Sequence, residues 1–264
     1  MSVKFCPLLS GSSGNCTYVG YNDTHILVDA GSSGKQIEFG LRDIDVDPRD
    51  LSAIFVTHEH SDHISGIGIM SRRYNLPIYA SPFTWRYLKR HMTAGKIHED
   101  LTRVVEPGIK FHVGDISALP FQIPHDASQP VGYSIFADDH KLTIATDIGH
   151  ITDCVKDNLA RSEVVLLESN HDLDMLINGR YPKILKDRIL SDHGHLSNAS
   201  AGKLLAMVYS PCLRYVYLGH LSEENNRPLI ALDTVGSILE AANINTIKLM
   251  IADRYASSEP VFLP

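Results

Sequence analysis

The stretch Thr57-His58-Glu59-His60-Ser61-Asp62-His63 directly follows the apolar run Leu51-Ser52-Ala53-Ile54-Phe55-Val56. The run reads as a buried strand and the polar stretch as the loop at its end. Three histidines and an aspartate within six residues call for a scaffold that ends a rigid strand in a tight turn. Imidazole nitrogen and carboxylate oxygen together suit zinc, manganese or iron. The plain alternative is a polar surface loop.

Further strand ends recur along the chain. Apolar runs at Val3 to Leu9, Thr17 to Val19 and Ile26 to Val28 come first, and a strand-rich block extends from about Val104 to Thr146. Gly114-Asp115 and Asp138-Asp139-His140 supply turns within that block. Ser81-Pro82 predicts a helix start, with Trp85, Leu88 and Met92 on one face and Arg86 and Arg90 on the other. A second helix begins at Thr152 or Asp153, a third is capped by Ser197 or Asn198 and runs through Tyr209, and a fourth covers Pro228 to Ala242. Val164 to Leu167, Tyr215 to Leu218 and Ile247 to Ile251 read as strands. Periodicity alone therefore gives an α/β chain with two strand blocks. Isolated polar residues follow several of these runs: Asp147 after Ile144-Ala145-Thr146, and His220 after Leu218-Gly219. Ligands gathered at strand ends imply one shared edge where loops converge.

His58-Glu59-His60-Ser61-Asp62-His63 resembles the HxHxDH signature of the metallo-β-lactamase fold, and His125, Asp147 and His220 follow in that family's order. Ser10 to Cys16, His125-Asp126-Ala127, Gly194 to Asn198 and His220 to Pro228 resemble, more narrowly, its bacterial YycJ/WalJ branch. The resemblance covers nearly the whole chain. It implies a four-layer αββα sandwich and a single domain over residues 1–264. Only about fifty residues separate Asp147 from His195, so no clamp-domain insertion is expected. It implies that His58, His60 and His125 hold one divalent cation and that Asp62, His63 and His220 hold a second, with Asp147 bridging. No sulfur is in this set, so manganese is as plausible as zinc, and iron remains possible.

A water shared by two cations supplies a nucleophile at neutral pH, and Asp62 can orient it. Such a site hydrolyses phosphodiesters, thioesters, lactones and β-lactams alike. His195 points to phosphodiesters, because it matches a histidine that contacts the scissile phosphate in phosphodiesterase members of the fold. It can neutralise the transition state and protonate the leaving oxygen. Glu168, after another apolar run, can support His195 by accepting its second N–H. Ser12, Ser13 and Asn15, around Gly14, are candidate phosphate contacts, although such clusters also form plain turns. Lys183, Lys186 and Arg188 recur at helical spacing before Gly194-His195. They can face phosphates or form a solvated helix face. Gly31-Ser32-Ser33-Gly34-Lys35 lacks P-loop spacing and its final Ser/Thr, which rules out a nucleoside-triphosphate loop.

The net charge is −7, which on its own disfavours a nucleic-acid partner. Its distribution argues otherwise. Residues 63–98 contain no Asp or Glu but carry Arg72, Arg73, Arg86, Lys89, Arg90 and Lys96 among aromatic side chains. The expected activity is therefore a dinuclear-metal nuclease, a 5′→3′ DNA exonuclease by resemblance, with DNA favoured over RNA. Its rivals are a small-molecule phosphodiesterase for cyclic nucleotides or phosphonate esters, an RNA-processing nuclease, and a metal-stabilised regulator that binds nucleic acid without cutting it. Four scattered cysteines, no secretory signal pattern and no membrane-length apolar run suggest a cytoplasmic protein.

Overall fold

The computed structural model describes residues 2–91 and 97–264. Met92 and Lys96 lie outside the described residues. The first half contains β1 (Val3–Leu9), β2 (Cys16–Tyr21), β3 (Thr24–Val28), α1 (Gly34–Asp43), β4 (Leu51–Phe55), α2 (Ser61–Ile64), α3 (Ile67–Tyr74), β5 (Ile78–Ala80), α4 (Pro82–His91) and β6 (Thr102–Val104). The second contains β7 (Phe111–Val113), β8 (Ile116–Gln122), β9 (Val131–Ala137), β10 (His140–Ala145), α5 (Asp153–Leu159), β11 (Val164–Glu168), α6 (Leu173–Asn178), α7 (Lys183–Ile189), α8 (Asn198–Val208), β12 (Tyr215–Gly219), α9 (Pro228–Ala241), β13 (Lys248–Ile251) and β14 (Val261–Leu263).

The strands form two seven-stranded sheets, β14-β1-β2-β3-β4-β5-β6 and β13-β12-β11-β10-β9-β8-β7. Each sheet is antiparallel on one side and parallel on the other. The change occurs at β3, antiparallel to β2 and parallel to β4, and at β10, antiparallel to β9 and parallel to β11. Central strands read as unbroken apolar runs because both faces are covered. In β11, Val164 and Leu166 pack between the sheets, while Val165 and Leu167 face the outer helices. In β4, Ala53 and Phe55 face inward, while Leu51 and Ile54 meet α1, α3 and α4. Helices α5, α8 and α9 cover the second sheet through Val155, Leu204 and Val235. The result is the expected αββα sandwich.

Thr152 caps α5 and Ser197 caps α8, and α8 stops at Val208 with Tyr209 as its C-cap. Trp85 and Leu88 are the buried side of α4, as read from spacing. Several elements are absent from the sequence reading, among them α1, α3, β5, α6 and β14. Helix α1 starts inside the Gly31–Lys35 cluster, with Ser33 accepting from Gln36 N–H. Its two glycines and the exposed Phe39 obscure the helical period. The three-residue β14 pairs with β1, bringing the chain's end beside its beginning. No helix among the described residues is long and apolar enough to cross a membrane.

Candidate metal centre

The loops after β3, β4, β10, β11 and β12 meet at one edge. Three of them bend there through left-handed backbone at Asp29 (φ 61°), Asp147 (φ 60°) and His220 (φ 53°). That conformation is uncommon and costly for a residue bearing a Cβ, so packing must enforce it. The loop after β4 is held equally tightly. Asn15 N–H donates to the Asp62 carbonyl (2.8 Å), and Gly31 N–H donates to the Asn15 carbonyl (2.8 Å). A Cβ on Gly31 would lie 1.6 Å from the Asp62 carbonyl oxygen. Only glycine permits this approach. His60 is the N-cap of α2, so Asp62 and His63 occupy its first turn.

His58, His60 and His125 face one another, with His58 Nε2 3.1 Å and His125 Nε2 3.3 Å from His60 Nδ1. Beside them, Asp62 Oδ2 lies 3.5 Å from both His63 Nε2 and His220 Nε2. Asp147 stands between the groups. Its Oδ2 is 3.3 Å from His63 Nε2, and its Oδ1 is 3.7 Å from His125 Nε2. Glu59 holds the His125 loop by accepting the Ser128 N–H (2.7 Å).

This donor set fits metal ions. Burial holds His58 well below the ordinary histidine value and lowers His125, so both rings offer lone pairs, as ligation requires. Asp147 Oδ2 is buried and has no hydrogen-bond partner, the arrangement expected of an oxygen reserved for a cation. Burial would also raise the Asp147 carboxyl, but His220 and His63 hold it well below the usual carboxylate range. The clusters His58-His60-His125, His58-His63-Asp147 and Asp62-His63-His220 each bring one donor atom per residue within metal-binding reach.

Two buried carboxylates support these donors. Asp29 accepts from Thr57 N–H (2.8 Å), the Thr57 hydroxyl (2.8 Å) and His63 Nδ1–H (2.7 Å). Glu168 accepts from Ile148 N–H (2.7 Å) and Leu196 N–H (3.1 Å) on one oxygen, and from His195 Nδ1–H (2.7 Å) and His220 Nδ1–H (3.0 Å) on the other. Such partners fix the tautomer and orientation of an imidazole. Burial alone would pull His220 down, but Asp147, Asp62 and Glu168 lift it to about 10. Burial would raise Glu168, but His195 and His220 lower it to about 2. His195 is raised by Glu168 against the opposing effect of burial.

The structure brings all seven expected ligands, His195 and Glu168 to one place. The expected phosphate contacts are distributed differently. Asn15 is buried, with Nδ2 3.1 Å from His63 Nε2 and 3.4 Å from Asp62 Oδ2. Ser12, Asn170, Tyr181, Arg188, His195 and His220 line a cavity of about 150 Å³. Ser13 is exposed on the same loop. Arg188 Nε donates to Asp126 (2.7 Å) at the cavity wall. The Lys186 ammonium donates to the Ile177 and Gly179 carbonyls (2.7 and 2.8 Å), bracing α7 against α6. Asp29 and Tyr181 are missing from the sequence reading, and Asp126 enters it only beside His125, without a role of its own. Asp29 carried a usable signal, since it follows Ile26-Leu27-Val28 as Asp147 follows its own strand.

A family model described as "Beta-lactamase superfamily domain" matches residues 24–220, the span that holds all seven donors. The chain belongs to this superfamily. Two superfamily relatives are similar over most of their length. Exodeoxyribonuclease YycJ of Bacillus anthracis is 40% identical over 240 residues, covering 91% of this chain and 90% of the relative. Exodeoxyribonuclease WalJ of Streptococcus pneumoniae is 39% identical over 244 residues, covering 92% and 91%. Among solved structures, the metallo-beta-lactamase fold protein YhfI of Bacillus subtilis superposes with a TM-score of 0.73 at 15% identity, covering 99% of this chain and 100% of YhfI. That likeness concerns the fold. Within the superfamily, this chain is a metal-dependent hydrolase.

Proposed function

We propose that the protein is a dinuclear-metal exodeoxyribonuclease that removes nucleotides from the 5′ end of DNA. The observation that carries this reading is the Glu168–His195 pair set beside the metal donors, in a chain 40% identical to a named exodeoxyribonuclease. His58, His60 and His125 would hold one cation and Asp62, His63 and His220 the other, with Asp147 shared. Manganese and zinc both suit these donors. Bound divalent cations supply a nucleophile at neutral pH and stabilise charge on the attacked phosphoryl group.

The chain's own residues do the rest. Glu168 takes the Nδ1–H of His195, so Nε2 is the nitrogen left to hold or release a proton. The raised His195 imidazole keeps that proton near neutrality and can deliver it to the leaving oxygen. Asp29 and Glu168 stop His63 and His220 from turning as charge develops. The cavity beside His195, at about 150 Å³, is smaller than the roughly 300–1,000 Å³ of common ligand pockets. It suits one terminal group better than a continuous strand, which favours cleavage from an end.

The test is digestion of 5′- and 3′-labelled DNA and RNA by chelator-stripped protein resupplied with manganese, zinc or magnesium. Stepwise loss from the 5′ end of DNA, absent in Asp62→Ala, is expected. Hydrolysis of bis-p-nitrophenyl phosphate without cleavage of either polymer would replace this reading with a small-molecule phosphodiesterase.

A further inference from the structure

Helix α4 carries no acidic residue, in a chain whose formal charge is −7. Its inner face is fixed by Thr84, Trp85 and Leu88, and Trp85 Nε1–H donates to the Arg103 carbonyl (2.8 Å). Its outer face is exposed at Phe83, Arg86, Lys89 and Arg90. Phe83, Arg86, Tyr87 and Arg90 fall on one stripe at helical spacing. The Arg86 guanidinium lies 4.8 Å from the centre of the Phe83 ring, and the Tyr87 and His91 rings are 4.1 Å apart.

Several cations elsewhere are held in ion pairs. Arg49, Arg73, Arg188, Arg214 and Lys248 each pair with a carboxylate. Arg86, Lys89 and Arg90 have no carboxylate partner among the described residues. A guanidinium stacked on an exposed ring, flanked by unpaired cations, gives both a stacking surface and a phosphate track. Single-stranded nucleic acid is recognised by that combination.

The helix is also tied to the metal centre. The Ser81 hydroxyl donates to the Gln129 carbonyl (3.0 Å), and Phe83 N–H donates to Gln129 Oε1 (3.3 Å). Gln129 follows Ser128, whose N–H is held by Glu59 between His58 and His60. From this we infer that the outer face of α4 binds the single strand of DNA running away from the cleavage site. Phe83 stacks on a base, and Arg86 and Arg90 contact phosphates. The stripe from Phe83 to Arg90 spans about 10 Å.

The inference rests on the nuclease reading, and the experiment separates the two. Metal-loaded wild type, Phe83→Ala and the double variant Arg86→Ala/Arg90→Ala are assayed on oligothymidylates of 6 and 40 nucleotides and on bis-p-nitrophenyl phosphate. All three substitutions are on an exposed face, so folding should be retained, and unchanged hydrolysis of the small ester confirms it. For the 40-mer, KM should rise roughly 10-fold in Phe83→Ala, from loss of one stacked base. In the double variant, the slope of log affinity against log salt should fall by about 1.4, from loss of two phosphate contacts. The 6-mer should be affected less. Unchanged KM and salt slope on the 40-mer, with the small ester also unchanged, would overturn the inference. Failure of the wild type to digest either oligonucleotide would overturn the nuclease reading first.

Discussion

Asp29 and Asp147 occupy matching places in the two halves. Each follows the strand at which its sheet changes from antiparallel to parallel pairing, β3 or β10. Each has left-handed backbone, and each is followed two residues later by a glycine that no larger residue could replace. Gly31 abuts the Asp62 carbonyl and Gly149 the Asp192 carbonyl, where a Cβ would come within 2.2 Å. Their carboxylates nevertheless have different surroundings. Both oxygens of Asp29 are occupied by Thr57 and His63, whereas Asp147 Oδ2 is buried without a hydrogen-bond partner. The same backbone device therefore makes a brace in one half and, in the proposed reading, a metal donor in the other. What separates them is Thr57, whose N–H and hydroxyl saturate the first carboxylate.

The largest expected contrast follows from this difference. Asp147→Asn should lower turnover by at least about 10³-fold even at saturating metal, since a shared cation donor stabilises charge by several kcal/mol. Asp29→Asn should instead weaken metal affinity by roughly 10–100-fold, with turnover largely restored by excess metal. Steady-state rates across a metal titration distinguish the two. Equal and unrescued losses would remove the distinction between brace and donor.

A smaller effect tests the shared device. Gly31→Ala and Gly149→Ala should each destabilise the chain by about 1–3 kcal/mol or more, because a methyl group must displace backbone. Urea denaturation of metal-free protein measures this. A loss below about 0.5 kcal/mol at either site would show that the loop yields easily.

A pH effect concerns an imidazole with no brace. His171 follows Glu168 by three residues, yet both its ring nitrogens are buried without partners, and burial lowers it from 6.5 to about 4. Between those values the unfolded chain binds a proton that the folded chain refuses. Stability should therefore fall as pH drops from about 6.5 to about 4, by at most ~1.4 kcal/mol per pH unit. His171→Leu should flatten this acid limb in chelator-stripped protein. An equally steep limb in the variant would place the acid sensitivity elsewhere.

Much of this was legible in the sequence because the constraints are local. The metal motif, the strand runs with both faces buried and the caps at Thr152 and Ser197 are all contiguous patterns. Asp147 and His220 were visible as polar residues closing apolar runs. Asp29 closes one too, but its role depends on Thr57, 28 residues away, and no local pattern reports that contact. Asn15 reads as part of a small polar loop, and only tertiary packing turns it toward His63. Lys186 and Arg188 lie two residues apart on α7, and α6 captures the ammonium while Asp126 captures Arg188. Such assignments depend on which distant carbonyl or carboxylate tertiary packing brings within reach.

The central claim is that the metal donors and the Glu168–His195 pair are separate devices in one site. Bound metal per chain and nucleotide release from 5′-labelled DNA, measured on the same preparations of wild type and His195→Ala, test it most directly. Equal metal content is expected, with turnover lower by about 10²–10⁴-fold in the variant. Loss of metal with the imidazole, or unchanged nucleotide release without it, would contradict the account.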